Sequence, residues 1–144
     1  MINDKVESLL YGMKFRLLLQ NRQKPILEKY KLHRIDLLIL LYLAGAGDHD
    51  TSGDIMKLEM FTRGHISQSL GRLCRKGLVT AERDVCDRRC YHNKITGDSA
   101  VIIEEVKDAA DQVEQVIFEG MTEEEKKTFA ILSRKVLDNI EKAV

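Results

Sequence analysis

The sequence predicts a mainly α-helical chain with one small β-hairpin, on three observations. Long amphipathic segments stand at both ends of its 144 residues. A leucine-rich segment of helical character lies between them. The stretch from Ile66 to Thr96, ISQSLGRLCRKGLVTAERDVCDRRCYHNKIT, passes from helical periodicity into two short extended runs around a polar turn.

Residues 3 to about 30 place Val6, Leu9, Leu10, Met13, Leu17 and Leu18 at helical spacing. Pro25 interrupts this run and either kinks one long helix or opens a new turn. Residues 34–45 form a second helix, apolar on most sides and therefore expected to be buried. Gly45 to Asp50 reads as a loop. Thr51 and Asp54 resemble a capping box for a short helix from Ser52 to about Leu58. Thr62 is a good N-cap for the next helix, whose buried face carries Ile66, Leu70 and Leu73, with Cys74 near that face and expected in the core. This helix ends at Lys76-Gly77, a cation followed by a residue that tolerates positive φ. Leu78-Val79-Thr80 restarts as a strand, Asp84 to Asp87 turns, and Tyr91 to Ile95 returns antiparallel. Residues 98 to about 119 form a long helix striped by Ile102, Val106, Ala109, Val113 and Val116. Thr122 and Glu125 make a capping box for the last helix, whose stripe is Phe129, Leu132, Val136 and Ile140.

A chain of this length suits one domain with a real core, and 44% hydrophobic residues suits a globular protein. The start of the chain lacks a basic cluster followed by a clean apolar run, and Leu37 to Ala46 is too short to span a bilayer. A soluble, cytoplasmic protein without membrane association is expected. Three cysteines cannot all pair within one chain, which suits a reducing compartment. The formal net charge of +0 argues at first against a nucleic-acid partner. The distribution of that charge points the other way. Thr62 to Lys94 holds eight Lys/Arg against three acids, a net of +5, whereas Asp98 to Val144 holds twelve acids against six bases, a net of −6. A basic module beside an acidic one is the footprint that DNA binding needs.

A helix with a basic hairpin beside it is how a winged helix-turn-helix holds double-stranded DNA: the helix in the major groove, a hairpin arginine in the adjacent minor groove. The expected architecture is a winged helix-turn-helix over residues 34–96, with long N- and C-terminal dimerisation helices over 1–33 and 97–144, all within one domain. Those terminal helices exceed what so small a module can cover, so packing against a second copy is expected. On a helical wheel Gly64, His65, Gln68, Gly71, Arg72 and Arg75 point away from the buried face of the recognition helix, and Arg63 and Ser67 flank its N-terminal end. Gln68 can pair bidentately with adenine, Arg63 or Arg72 with guanine or a phosphate, and Ser67 with either. His65 is a DNA contact or a plain surface residue. Gly64 and Gly71 cost about 1 kcal/mol each in a helix, which fits close approach to a DNA backbone as well as simple tolerance on a surface.

Leu73, Arg75-Lys76, Gly77-Leu78-Val79, Asp87-Arg88-Arg89 and Ile95-Thr96 together resemble the MarR family of bacterial transcription regulators. Pro25-Ile26-Leu27 with Tyr30-Lys31-Leu32 is similar to that family's junction between its first two helices. The resemblance runs through nearly the whole chain. It implies that Arg89 is the wing arginine that contacts DNA, that Asp87 positions it, and that Arg88 is a phosphate contact or a spare. It also implies a homodimer on a pseudo-palindromic operator, acting as a repressor that a small-molecule effector releases. The chain departs from the family pattern at His33, Ala81, Val85 and Gly97-Asp98-Ser99.

Two alternatives stand beside this reading. Cys86 and Cys90 lie four apart in the wing, and a thiolate next to Arg88 and Arg89 would have a lowered pKa and respond to oxidant. Alternatively, the winged helix is a protein-interaction module that binds no DNA. A CxxxC pair with one histidine, His92, is weak as a metal signature, so no metal site and no cofactor are expected. There is no glycine-rich phosphate loop and no nucleophile elbow, and the acids from Glu123 to Glu125 are explained by a helix N-terminus, so no enzymatic activity is expected.

Overall fold

The computed structural model describes residues 4–144, with side chains from Leu10 onward, so the stripe positions Val6 and Leu9 lie outside the described side chains. In chain order the elements are α1 (Asp4–Tyr30), α2 (Arg34–Gly45), α3 (Ser52–Met56), α4 (Arg63–Arg75), β1 (Val79–Arg83), β2 (Tyr91–Ile95), α5 (Gly97–Ile117) and α6 (Glu123–Ala143). They fall into two compact units, residues 1–110 and 111–144, and α5 runs through the division.

In the first unit, α1 continues through Pro25. It ends where Lys31 takes φ +54°, with the Leu32 N–H bonded to the Leu27 carbonyl at 2.9 Å. α2 supplies the centre of the core: Leu37, Ile39 and Leu40 are fully buried. Ile55 of α3, Ile66 and Leu73 of α4, Val79 of β1 and Ile102 of α5 pack into the same cluster. The expected capping box of α3 is present, since Asp54 N–H donates to Thr51 Oγ1 and Thr51 N–H to Asp54 Oδ2. The helix itself is shorter than its sequence suggests, ending at Met56.

α4 starts where Thr62 Oγ1 accepts the His65 N–H at 3.2 Å. It stops at Gly77, whose φ of +71° reverses the chain. The Leu78 N–H then reaches the Leu73 carbonyl at 2.9 Å and the Gly77 N–H the Cys74 carbonyl at 3.0 Å, a Schellman motif sealed by buried Leu73 and Leu78. The hairpin is antiparallel, with Val79 opposite Ile95, Ala81 opposite Asn93 and Glu82 opposite His92. β1 runs three residues beyond Thr80, to Arg83. At the start of α5, Ser99 is fully buried: its hydroxyl accepts from the Thr96 N–H and donates to the Thr96 carbonyl. The chain departs from the family pattern here, yet the serine supplies a cap of its own.

In the second unit, Thr122 and Glu125 form the expected box, with the Glu125 N–H on Thr122 Oγ1 and the Thr122 N–H on Glu125 Oε2. Phe118 and Phe129 meet edge to face at 5.5 Å. α6 holds no buried residue; Phe129, Leu132, Val136 and Ile140 are each about half exposed. No described helix is long and apolar enough to cross a membrane.

Candidate nucleic-acid interface

The exposed face of α4 and the wing lie on either side of one groove. It has a volume of about 790 Å³ and is lined from α4 by Arg63, Ser67, Gly71 and Cys74, from α3 by Ser52, Gly53 and Met56, and from the hairpin by Ala81, Arg89, Tyr91 and Asn93. The structure thus brings Arg63, Ser67 and Arg89 together. His65, Gln68 and Arg88 are exposed but do not line that groove. A Cβ on Gly64 would meet nothing within 4 Å, and one on Gly71 would lie 3.3 Å from the Arg75 guanidinium. Neither glycine is required by the packing of this chain.

Arg72 overturns the expectation that it points outward. Its Nε lies 3.2 Å and its Nη2 2.8 Å from Asp36 Oδ1, and its side chain is only 25% exposed. Asp36 is fully buried in the first turn of α2, so the carboxylate draws the guanidinium in. The Ser69 hydroxyl donates to the same oxygen at 2.6 Å, and the His33 N–H donates to Oδ2 at 2.9 Å. Burial alone would push the Asp36 carboxyl up. Arg72, Ser69 and the His33 backbone outweigh it and hold the group below its ordinary value. The wheel failed here because it treats a long side chain as a radial vector, whereas arginine reaches around the helix. The only signal available was weak: Asp36 is the lone acid of RIDLLILL, but it stands in the first turn, where the helix N-terminus alone accounts for an acid. Cys74, expected near the core, is exposed and lines the groove.

The wing tip is built from carboxylates. Asp84 Oδ1 accepts the Cys86 and Asp87 N–H groups, both at 2.8 Å, and Asp87 Oδ1 accepts the Arg89 N–H at 3.0 Å. Asp87 therefore touches Arg89 through its backbone. Among the described residues no ion pair engages the side chains of Arg63, Arg88 or Arg89. Asp84 is held down to about 2, by His92 first and then by the two tip amides. Sequence reasoning treated Asp84 only as a turn residue and did not single out His92 or Asp50 for this role. The Cys90 thiol is pushed up, by burial first and then by Asp87. This is opposite to the lowered value that a reactive thiolate needs, and it counts against Cys90 as a sensor. No group of three or more His, Cys, Asp or Glu side chains is placed to hold a metal among the described residues.

Comparison with known proteins bears on the whole architecture. A family model described as the MarR family matches residues 30–89. Wild-type MarR from E. coli, in its apo form, is 22% identical over 95% of this chain and 98% of that one, with a TM-score of 0.75. The MepR–DNA complex of S. aureus is 25% identical over 92% of this chain and 98% of that one, with a TM-score of 0.66. The transcriptional regulator Tm0710 from Thermotoga maritima is 18% identical over 98% of this chain and 97% of that one, with a TM-score of 0.67. No curated protein sequence matches. The family model matches across the helix-turn-helix into the wing, and the fold is shared along nearly the full length of those structures, so the chain has the winged helix-turn-helix fold of the MarR proteins and is similar to that family over residues 30–89.

Proposed function

We propose that this protein is a homodimeric, sequence-specific DNA-binding transcription regulator, a repressor released from a pseudo-palindromic operator by a small-molecule effector. One observation carries the reading: Arg63 and Ser67 at the start of α4 share a groove with the wing arginine Arg89, while the two guanidinium groups make no ion pair among the described residues. α4 enters the major groove, where Gln68 and Arg63 read base edges and Ser67 and His65 contact the backbone or a base. Arg89 reaches the neighbouring minor groove, with Asp87 fixing its backbone and Arg88 on a phosphate. A relative of the same fold, MepR of S. aureus, has been solved with DNA.

The dimer rests on α6. Its apolar stripe, Phe129, Leu132, Val136 and Ile140, is 41–58% exposed, and its two neighbours Ile131 and Leu137 are 61% and 43% exposed. A second copy would cover such a stripe and bring two recognition helices to half-sites about 34 Å apart. The effector acts only if it binds one spacing of those helices better than the other.

Selection of bound duplexes from a random pool by the purified protein tests the reading, followed by fluorescence anisotropy across a salt series. The expected result is an inverted repeat bound with steep salt dependence. Recovery of no enriched sequence, with weak salt-independent binding, would leave the protein-interaction module as the better account.

A further inference from the structure

His92, in the middle of the hairpin's second strand, is bound at both ring nitrogens by carboxylates from different elements. Nδ1 lies 2.5 Å from Asp50 Oδ1, in the loop before α3, and Nε2 lies 2.6 Å from Asp84 Oδ2, at the end of β1. Asp50 is 1% exposed. Its other oxygen is approached by Lys94 Nζ at 2.6 Å, an ion pair outside the angles of a hydrogen bond. Its carbonyl accepts both the backbone N–H and the side-chain amide of Asn93. Asp50 is therefore a fixed post, tied to β2 at three successive residues. Asp84 is the organiser of the wing tip, and the path from His92 runs through Asp84 to the Asp87 amide and from the Asp87 carboxylate to the Arg89 amide.

A neutral imidazole has one N–H; only the imidazolium has two. With a carboxylate at each nitrogen, the neutral ring satisfies one neighbour and sets its lone pair against the other. The surroundings favour the charged ring. β1 contributes Glu82, the cross-strand partner, and the turn that follows it Asp84; the loop before α3 contributes Asp48, His49 and Asp50; α3 contributes Asp54, with Lys57 just beyond it. The tip contributes Asp87 and Cys90, and β2 itself contributes Tyr91, bonded to Arg83, and Lys94. Acids outnumber bases around the ring, and Asp84 first, then Asp50, push His92 above its ordinary value.

We propose that His92, as an imidazolium bridging Asp50 and Asp84, is a positioning residue for the wing, and that loss of its proton releases the tip carrying Arg89 and weakens DNA binding. This rests on the DNA-binding reading above. On deprotonation the more solvated contact yields: the Asp84 side chain is 28% exposed against 1% for Asp50. The sign follows from the two groups. A histidine raised on folding contributes fully below its ordinary value of 6.5, and its contribution is lost as pH rises through the raised value. The depressed Asp84 contributes above the ordinary carboxylate range, and its contribution is lost only as pH falls through about 2. The bridge is intact between those limits and opens on the alkaline side.

The test uses the full-length protein and its selected operator at constant ionic strength from pH 6 to pH 9.5. NMR of the imidazole without DNA should place the His92 titration above that of an ordinary histidine. Operator affinity should fall about fivefold across it, the lower end of the cost of a lost groove contact. His92→Gln should bind at pH 6 as weakly as the wild type does at high pH, with that step absent from its profile. In an Arg89→Ala background His92→Gln should change affinity no further, which a general destabilisation would not reproduce. Absence of operator binding by the wild type at pH 6 would refute the DNA reading, while the NMR titration would still report the bridge. Operator binding with identical profiles for wild type and His92→Gln, or an unraised His92, overturns the proposal. Should His92→Gln fail to fold, Asp84→Asn must lose the same step, and an unaltered profile in that variant is equally fatal.

Discussion

Replacing Arg72 by alanine separates the two roles open to that residue. In the structure its guanidinium neutralises Asp36, which is fully buried, and Ser69 and the His33 N–H are the remaining partners. Breaking a buried pair from one side costs about 3–5 kcal/mol, because the remaining charge is left without compensation. The Arg72 side chain is 25% exposed, so water reaches the pair and the lower figure, about 3 kcal/mol, applies. Asp36→Asn keeps an acceptor for Ser69 but removes the charge and should cost about 1–3 kcal/mol. Asp36→Leu with Arg72→Met would still strand the Ser69 hydroxyl, which is fully buried. Adding Ser69→Ala should bring the triple variant back to within about 1 kcal/mol of the wild type. Urea denaturation at fixed protomer concentration reads these differences, since a dimer's midpoint moves with concentration. With a slope of about 1–3 kcal/mol/M, Arg72→Ala should lower the midpoint by at least about 1 M. Stability from this pair is present above the ordinary carboxylate value of 3.8 and is lost as pH falls through the lower value of Asp36. If Arg72→Ala unfolds at the wild-type midpoint and instead flattens the salt dependence of DNA binding, the guanidinium belongs to DNA and the clamp is wrong.

Arg89→Ala should weaken operator binding by about 1–3 kcal/mol without unfolding the protein, and Gln68→Ala should relax discrimination at one base pair per half-site with the salt slope unchanged; anisotropy on operator and scrambled duplexes checks both. Phe129→Asp with Leu132→Asp should convert the protein to a monomer in analytical ultracentrifugation, and a dimer of unaltered strength would remove α6 from the interface. Cys86→Ser with Cys90→Ser should leave operator affinity intact; release of DNA by peroxide from the wild type but not from this variant would restore the redox reading.

The elements that the sequence makes legible are those whose signals are local. Thr51, Thr62 and Thr122 cap helices because each cap needs only its own side chain and an amide three residues on. Gly77 ends α4 because the reversal demands positive φ at that one position. Illegible were the contacts that join distant residues. Asp36 and Arg72 are 36 apart, and Asp50 and His92 are 42 apart. Nothing in the spacing announces either pair. What the sequence does show is an acid in the first turn of an otherwise apolar helix, a place that its local bond to the His33 N–H already explains, so the distant partner goes unannounced. The wing illustrates the same limit from the other side. The Asp-x-Arg pattern locates Arg89, yet it credits Asp87 alone, whereas the tip is organised by Asp84, and Asp84 is held by His92.

These contacts also revise the electrostatics inferred from composition. Eight Lys/Arg lie between Thr62 and Lys94, but Arg72 is neutralised by Asp36 and Lys94 by Asp50. Six remain for phosphates, and of these Arg83 is bonded to the Tyr91 hydroxyl and Lys76 to the Tyr30 carbonyl. The dependence of log affinity on log salt scales as about 0.9 per phosphate neutralised. If Arg63 and Arg89 in the grooves and Arg88 on a phosphate each displace the counterions of one phosphate, a dimer should show a slope of roughly 5; with all six cations on each copy engaged it cannot exceed about 11. A measured slope near the lower figure supports Arg63, Arg88 and Arg89 as the cations that meet DNA, with Arg72 and Lys94 paired inward to fasten α4 and the wing and Arg75, Lys76 and Arg83 taking no phosphate. A slope above the upper one would mean that Arg72 and Lys94 leave their aspartates on binding, or that lysines and arginines of the terminal helices reach the DNA as well.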